Sequence, residues 1–187
     1  AEDGIRDVER SRGLGDVYKR QIECVKEIFN VNIRGRPLPQ NIARVVSSIR
    51  KGKTIPIVNE GGGINRCVYM FTVLALADEG STIMIEEPET NLHPRAQHDL
   101  AKIFVEAVVN ERKQLIITTH SEHLLLGILH QVKKNRIKPE DVAIYYVQKD
   151  RERKTVLSQL EIDAHGRVKG GLPGFFEAEV KEIIELL

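Results

Sequence analysis

The segment 81–94, Ser-Thr-Ile-Met-Ile-Glu-Glu-Pro-Glu-Thr-Asn-Leu-His-Pro, constrains the fold of this chain more than any other stretch. Residues 82–85 are apolar or β-branched, which predicts a buried strand of a parallel sheet. Glu86 and Glu87 follow directly, and Pro88 keeps the strand from continuing its hydrogen-bond ladder. Because parallel α/β sheets bind ligands at the carboxyl ends of their strands, these carboxylates predict the acidic side of a magnesium–nucleotide site.

The following segments repeat the alternation of strand and helix. Residues 94–109 begin with a proline and carry an apolar stripe, which predicts a helix. Residues 114–119 predict a second buried strand that ends at His120. Ser121 is suited to cap a helix that runs to about residue 132. Glu89 is predicted to be a first-turn charge that favours the dipole of the first helix.

Other elements are predicted with less chemistry attached to them. The order strand–helix–strand–helix–strand indicates a parallel α/β sheet. Apolar spacing and breaking residues predict a helix at 22–29, a break at 36–39, strands at 142–147 and 155–160, and a last amphipathic helix at 175–187.

Residues 42–49 and 54–58 predict a β-hairpin. Its turn contains Gly52-Lys53-Thr54, which resembles the end of a phosphate-binding P-loop. Ser47 stands where that motif needs a glycine, and Pro56 would interrupt the helix that a P-loop must open. The hairpin turn is therefore favoured over a phosphate site.

A glycine cluster precedes the apolar, helix-forming run 67–77. Gly61, Gly62 and Gly63 would leave backbone N–H groups open to an anionic ligand at the helix start. The helix dipole favours an anion there by up to about 1 kcal/mol. A tight turn without a ligand is the alternative reading of the same glycines.

Composition restricts the classes of protein. A chain of 187 residues can bury one domain core, and its net charge of +1 gives no electrostatic footprint for nucleic acid. No apolar run reaches membrane-spanning length, and no signal-peptide pattern is present. Cys24 and Cys67 lie in apolar helical contexts, which favours core positions in a reducing, cytoplasmic setting.

Residues 11–21, Ser-Arg-Gly-Leu-Gly-Asp-Val-Tyr-Lys-Arg-Gln, resemble the in-frame translation of a transposon-end adapter used for sequencing libraries. We therefore expect residues 1–21 to be an artefactual or disordered N-terminus and exclude them from functional reasoning. The alternative is a genuine charged arm. On the first interpretation, residues 22–187 are the C-terminal part of a longer domain.

The stretch 61–132 resembles the C-terminal half of ABC-type ATPase heads, as in the SMC, RecF and overcoming-lysogenisation-defect-like groups. Residues 83–94 are similar to their Walker B motif and D-loop, and residues 116–121 are similar to their switch-histidine segment. Residues 59–66 take the place of the signature motif. The resemblance implies a partial P-loop NTPase fold of the α/β class. It comprises a parallel sheet flanked by helices, a β-hairpin before the signature helix and a small C-terminal β/α element.

The resemblance also implies roles for individual residues. Glu86 matches the acid that holds Mg²⁺, Glu87 the general base that polarises the attacking water, and His120 the residue that senses the γ-phosphate. Asn91 and His93 fall in the D-loop, which crosses to the partner subunit in this family. The remaining cofactor-binding candidates match the signature: Gly61, Gly62, Gly63 and Asn65.

Two departures from the family pattern set the functional expectations. The signature lacks its serine and glutamine, for which Asn65 is a partial substitute, and no Walker A motif or Q-loop is present. The chain alone is therefore expected to lack ATPase activity. The intact protein is expected to bind and hydrolyse Mg-ATP between two heads of a homodimer, with DNA maintenance or phage defence as outputs and DNA or an effector protein as a partner.

Two other classes of function stay open at this level. The first is a non-catalytic interaction or dimerisation module derived from an ATPase. The second is a metal-dependent nuclease or hydrolase that uses the acids together with nearby histidines: His93, His98, His120 and His123. No two of these histidines have the spacing of a zinc protease helix.

Overall fold

The computed structural model describes residues 19–20, 22–38, 42–48 and 54–171. A helix over residues 22–29 (α1) is followed by the strands Asn32–Leu38 (β1), Ile42–Ser48 (β2) and Thr54–Pro56 (β3). A 3₁₀ turn, Ile57–Asn59, leads to the central elements, which are Gly62–Leu76 (α2), Thr82–Glu86 (β4), Pro94–Glu111 (α3), Gln114–Thr118 (β5) and Glu122–Lys133 (α4). A second 3₁₀ turn, Pro139–Asp141, precedes Ile144–Lys149 (β6) and Thr155–Leu160 (β7).

The first three strands form an antiparallel sheet in the order β1-β2-β3. The antiparallel pairing of β2 with β3 confirms the predicted hairpin, whose turn at 49–53 lies outside the described residues. The predicted break at 36–39 was wrong, because β1 continues through Pro37 to Leu38. Proline lacks a backbone donor but is tolerated at a sheet edge, and among the described strands β1 pairs only with β2.

Strands β4 and β5 pair in parallel, from Thr82 opposite Gln114 to Glu86 opposite Thr118, which confirms the predicted parallel pair. The prediction that both strands are buried was wrong for one face. Met84 is 76% exposed and its neighbour Ile116 is 47% exposed. The described part of this sheet has only these strands, because β6 pairs antiparallel with β7 instead of extending it. Full burial of a parallel strand requires cover on both faces, and only the other face has it here.

The core lies between α2, α3 and α4 and the inner face of the β4–β5 pair. Helix α2 begins at Gly62, earlier than the predicted residue 67, and contributes Phe71 to this core. Phe104 and Leu124 come from the other helices. Cys24 and Cys67 are buried in the same cluster, as predicted, and burial raises the pKa of their thiols to about 11 and about 12.

Helices α3 and α4 pack closely against each other at Gly127. A β-carbon placed on Gly127 of α4 would lie 2.5 Å from the backbone oxygen of His98 in α3, so only glycine permits this approach. Lys113, which is buried, joins α3 to α2, because its Nζ donates to the Leu74 backbone oxygen and to Glu111. That contact satisfies a carbonyl in the last turn of α2.

The C-terminal part packs on the outer side of this helix pair. Ile137, Val142 and Ile162 contact Val105 and Val132 in a second, smaller cluster. Hairpin β6–β7 pairs Ile144 with Leu160 through Lys149 with Thr155. This agrees with the predicted strands, although β6 begins two residues later than predicted because of the 3₁₀ turn before it. The predicted helix at 175–187 lies outside the described residues.

None of the described helices has the length and apolar content needed to cross a bilayer. Arg20, near the end of the segment predicted to be an artefact, pairs with Glu106 at 2.9 Å. Residues 1–18 lie outside the described ranges, and the origin of residues 1–21 stays a prediction.

Candidate functional site

The candidate site is the edge of the sheet where β4 and β5 both end. Glu86 and Thr118 are the last paired residues, and the Glu87 backbone N–H continues the ladder by donating to the Thr118 oxygen at 2.9 Å. Glu87 then adopts a left-handed backbone with a φ of 43°. Such a conformation is uncommon for a residue with a β-carbon and is often found at functional sites. The chain therefore turns sharply at the second acid, directly after β4 ends at Glu86 and before Pro88.

The site brings together Glu87 and His120, which are 33 positions apart in the sequence. His120 Nε2 lies 3.7 Å from Glu87 Oε1. That separation is longer than a hydrogen bond but close enough for an ion pair when the imidazole is charged. The side chains are 52% exposed for Glu87 and 90% exposed for His120, so both are open to a ligand. Glu86 is also exposed, and its backbone oxygen accepts from Arg66 Nη2 at 2.7 Å.

Residues 87–92 form a compact turn between β4 and α3. Thr90 donates its backbone N–H and its hydroxyl to the Glu87 oxygen, at 3.2 Å and 2.9 Å. Asn91 has a φ of 64°, which a short polar side chain tolerates. His93 is the N-cap of α3, and its Nδ1 accepts from the Arg95 backbone N–H at 3.3 Å. The two D-loop candidates, Asn91 and His93, are thus both exposed beside the acids.

The three signature glycines occupy different environments at the start of α2. A β-carbon on Gly61 would meet nothing within 4 Å, so this position is open. On Gly62 it would lie 3.2 Å from the Asn91 amide nitrogen, and on Gly63 it would lie 2.5 Å from the Asn91 backbone oxygen. Gly62 and Gly63 lie within the first turn of the helix and do not precede it. Asn65 Nδ2 donates to the Glu60 oxygen at 2.9 Å.

The possible metal ligands at the site are carboxylate oxygens that are not gathered into a cluster. Within the described ranges, no group of three or more His, Cys, Asp and Glu side chains is gathered as a metal site. The histidines that suggested a hydrolytic metal centre therefore do not form one in this part of the chain. A single carboxylate such as Glu86 fits Mg²⁺, because that ion keeps several waters and takes phosphate oxygens as further ligands.

Sequence reasoning missed Glu89. The structure places this residue before α3 and not in its first turn, so the predicted dipole role was wrong. Glu89 is 8% exposed, and its Oε1 accepts the backbone N–H of His120 at 2.8 Å. Its other oxygen, Oε2, is buried with no hydrogen-bond partner among the described residues. The sequence around Glu89 gave no signal of its burial, because its partner His120 lies in the segment after β5, distant in sequence.

Gln97 was also missed. The Ser121 hydroxyl donates to Gln97 Oε1 at 2.6 Å, and Gln97 Nε2 donates to the Leu92 backbone oxygen at 2.8 Å. The same Ser121 oxygen caps α4 by accepting the Leu124 N–H, which confirms the predicted cap. Gln97 therefore connects the turn after β4 to the start of α4, in addition to the bond between Glu89 and His120.

Comparison with known proteins decides the family. A sequence model described as the AAA ATPase domain matches residues 10–125. The chain belongs to this AAA ATPase domain family. A second model, described as a protein of unknown function (DUF3696), matches residues 137–186. The AAA ATPase match contains every candidate residue of the site, whereas the second match begins beyond α4.

Solved structures share the fold of this AAA ATPase domain. It superposes on a structure from work on the ATP-driven dimerization and DNA-stimulated activation of SMC ATPases. The TM-score is 0.58 and the identity 12%, over 94% of this chain and 93% of that one. An Smc head domain from Pyrococcus furiosus, bound to the C-terminal domain of ScpA, gives a TM-score of 0.60 at 12% identity, over 98% of this chain and 42% of that one. The fold is thus that of an SMC ATPase head, a P-loop NTPase fold, as predicted.

Two curated relatives match shorter stretches of the chain. The energy-coupling factor transporter ATP-binding protein EcfA2 of Spiroplasma kunkelii is 32% identical over 71 residues, which are 38% of this chain and 23% of that protein. Endonuclease GajA of Bacillus cereus is 45% identical over 56 residues, which are 26% of this chain and 8% of that protein. The matched part of this chain thus spans less than a quarter of either relative.

Proposed function

We propose that this domain supplies the Walker B, D-loop and switch-histidine half of an ATP-hydrolysing site. The observation that carries the proposal is the position of Glu87 and His120, which meet at 3.7 Å at the carboxyl ends of neighbouring parallel strands. In the proposed site Glu87 accepts the proton of the attacking water as general base. His120 lies next to it, where the imidazole can donate to a phosphate oxygen.

Mg-ATP fits the groups around these residues. Glu86 would hold the metal, through water, because its carboxylate is exposed at the end of β4. In the proposed dimer, the N-terminus of α2 would bind phosphate oxygens of the nucleotide held by the opposite subunit, and the open surroundings of Gly61 allow that approach. Bound Mg²⁺ supplies charge stabilisation at the transferred phosphoryl group.

A homodimer of heads is part of the proposal. The exposed Asn91 and His93 would contact the nucleotide or the site of a second copy, since both lie on the turn that projects beside the acids. The superposition on SMC ATPases, described as undergoing ATP-driven dimerization, supports this arrangement. DNA maintenance or phage defence is the proposed setting, with DNA or an effector protein as partner.

The decisive experiment measures Mg-dependent ATP hydrolysis in two proteins. One is the 187-residue chain, and the other is a longer protein that joins this chain to a Walker A segment, called here the Walker A-containing protein. We expect no turnover by the chain alone. In the Walker A-containing protein, Glu87→Gln should lower turnover by about 10²–10⁴-fold, as loss of a general base does. Turnover by the chain alone that Glu87→Gln abolishes would contradict the first expectation, and full activity of Glu87→Gln would contradict the second.

A non-catalytic interaction module is the second candidate, and exposed apolar side chains favour it. They lie on α2 and on the outward face of the sheet: Tyr69, Val73, Leu76, Met84 and Ile116. Such a surface is typical of a region that another protein segment covers. A Walker A-containing protein that dimerises without any nucleotide and shows no turnover would favour this candidate.

A further inference from the structure

We propose that Glu89 is a positioning residue that fixes the backbone at His120 and thereby sets the imidazole beside Glu87. The inference rests on the proposed ATPase function, since it assigns Glu89 a role in that reaction. Glu89 touches neither nucleotide nor water in this role and acts through His120.

The geometry places Glu89 as a link between the ends of two strands. The ladder between β4 and β5 ends when the Glu87 N–H donates to Thr118. Beyond that bond, the Glu89 carboxylate connects the segments that follow β4 and β5. It accepts the His120 N–H at 2.8 Å. Hydrogen bonds to a carboxylate are among the stronger ones in proteins. Because Glu87 and Glu89 lie two residues apart on one hydrogen-bonded turn, this bond fixes His120 relative to Glu87.

The exposure of His120 makes such a link necessary. Its side chain is 90% exposed, and its Nε2 lies 3.7 Å from Glu87 Oε1. Packing therefore cannot hold the imidazole in place. A fixed backbone at His120 limits the positions that its ring can reach.

The burial of Glu89 argues for a role beyond stability. Its Oε2 is buried with no hydrogen-bond partner among the described residues. A buried carboxylate oxygen without a partner destabilises a fold, so its presence in a native protein calls for an explanation, and a functional role is one of them. A carboxylate at this place is therefore better explained by the bond to His120 than by folding.

A separate contact leaves the surrounding loop intact when Glu89 is changed. Gln97 connects the Ser121 hydroxyl to the Leu92 oxygen, and Ser121 caps α4 without help from Glu89. We therefore expect Glu89→Ala to release His120 while the start of α4 keeps its structure.

Amide hydrogen exchange in the 187-residue chain tests the link directly. Glu89→Ala should speed exchange of the His120 amide by about tenfold or more, because one charge-assisted hydrogen bond is lost. Glu89→Gln keeps an acceptor oxygen and should leave exchange within about threefold of the unchanged chain. The Leu124 amide, bonded to Ser121, is the internal control and should not change. Equal His120 exchange in all three proteins would overturn the proposal.

Kinetics of the Walker A-containing protein test the consequence. Glu89→Ala should lower the single-turnover rate of hydrolysis about tenfold or more, with the KM for ATP within about threefold, because His120 acts mainly in the chemical step. Glu89→Gln should recover most of the rate. In a His120→Ala background, Glu89→Ala should change the rate less than about twofold, since the group that it positions is gone. Glu140→Ala, which removes an exposed acid far from the site in sequence, is the charge control.

The outcomes separate this inference from the proposed function. An equal loss on Glu89→Ala with and without His120 would indicate a purely structural role and overturn the inference, and so would a Glu89→Ala protein as active as the unchanged one. If the unchanged protein shows no Mg-dependent turnover that Glu87→Gln abolishes, the proposed function fails and the catalytic role of Glu89 fails with it. The exchange measurement then still decides whether Glu89 holds His120.

Discussion

The contact between the start of α2 and the turn after β4 gives the sharpest prediction for stability. A β-carbon on Gly63 would lie 2.5 Å from the Asn91 backbone oxygen and 2.7 Å from Leu92 Cδ2. A normal contact begins near 3.4 Å, so Gly63→Ala requires helix and turn to separate by several tenths of an ångström or more. The nearer atom is backbone, which cannot rotate away as a side chain can.

The expected magnitude follows from two opposing effects. Overpacking of a tight site costs about 1–3 kcal/mol. The better helix propensity of alanine returns at most about 1 kcal/mol, and less in a first turn. We therefore expect Gly63→Ala to lower the free energy of unfolding by about 1–2 kcal/mol.

Neighbouring glycines provide matched controls. Gly62→Ala makes the same chemical change, but its closest neighbour is the end of the Asn91 side chain at 3.2 Å, which can move. It should stay within about 0.5 kcal/mol of the unchanged chain, as ordinary surface substitutions do. Gly61→Ser adds a β-carbon in open space at the N-cap of α2 and should be neutral or slightly stabilising.

Urea denaturation of the 187-residue chain and its three variants, followed by circular dichroism, measures these differences. The order of stability should be Gly61→Ser, then Gly62→Ala, then Gly63→Ala as the least stable. A Gly63→Ala variant as stable as Gly62→Ala would refute the reasoning, because it would mean that Asn91 does not approach α2 this closely.

Two further predictions concern the rest of the fold. Lys113→Met should lower the free energy of unfolding by about 1–3 kcal/mol in the same urea assay, since the Leu74 oxygen and Glu111 lose their shared buried donor; an unchanged midpoint would contradict this. The pKa of Asp163 is held below its ordinary value of 3.8, first by the Arg167 backbone N–H and then by the guanidinium of that residue and the His165 N–H. A lowered folded pKa stabilises above the ordinary value, and the effect is lost as the pH falls through the lowered one. Asp163→Asn should therefore lower the unfolding midpoint at about pH 7, and the effect should shrink progressively as the pH falls below 3.8; an effect that does not change with pH would contradict the assignment.

The sequence predicted the positions of the two acids better than their surroundings. Glu86 and Glu87 were placed correctly because a run of apolar residues that ends in acids and proline has few other structural readings. Glu89 was misplaced because its partner, His120, lies in the segment after β5, and a local pattern carries no record of that contact. The contact between Gly63 and Asn91 was not predicted for the same reason, since only the tertiary structure reveals it.

The strand predictions likewise depended on whether the feature is local in sequence or depends on the tertiary structure. The apolar content of residues 82–85 identified a strand but not which face is covered, because cover depends on elements distant in sequence. At β1, the local penalty of Pro37 suggested a break, whereas the position of the strand at a sheet edge removes that penalty. Position in the sheet, and not composition, decided both cases.

The exposed face of the β4–β5 pair has one consequence for the site. Side chains alternate along a strand, so Met84 and Glu86 point to the same side, and their register partners Ile116 and Thr118 do the same. Met84 and Glu86 are one strand repeat apart, about 7 Å. Any segment that covers Met84 must therefore reach to about that distance from Glu86. Whatever hides this apolar surface also borders Glu86, the proposed magnesium ligand, so docking on that face and affinity for magnesium would be controlled by the same few side chains.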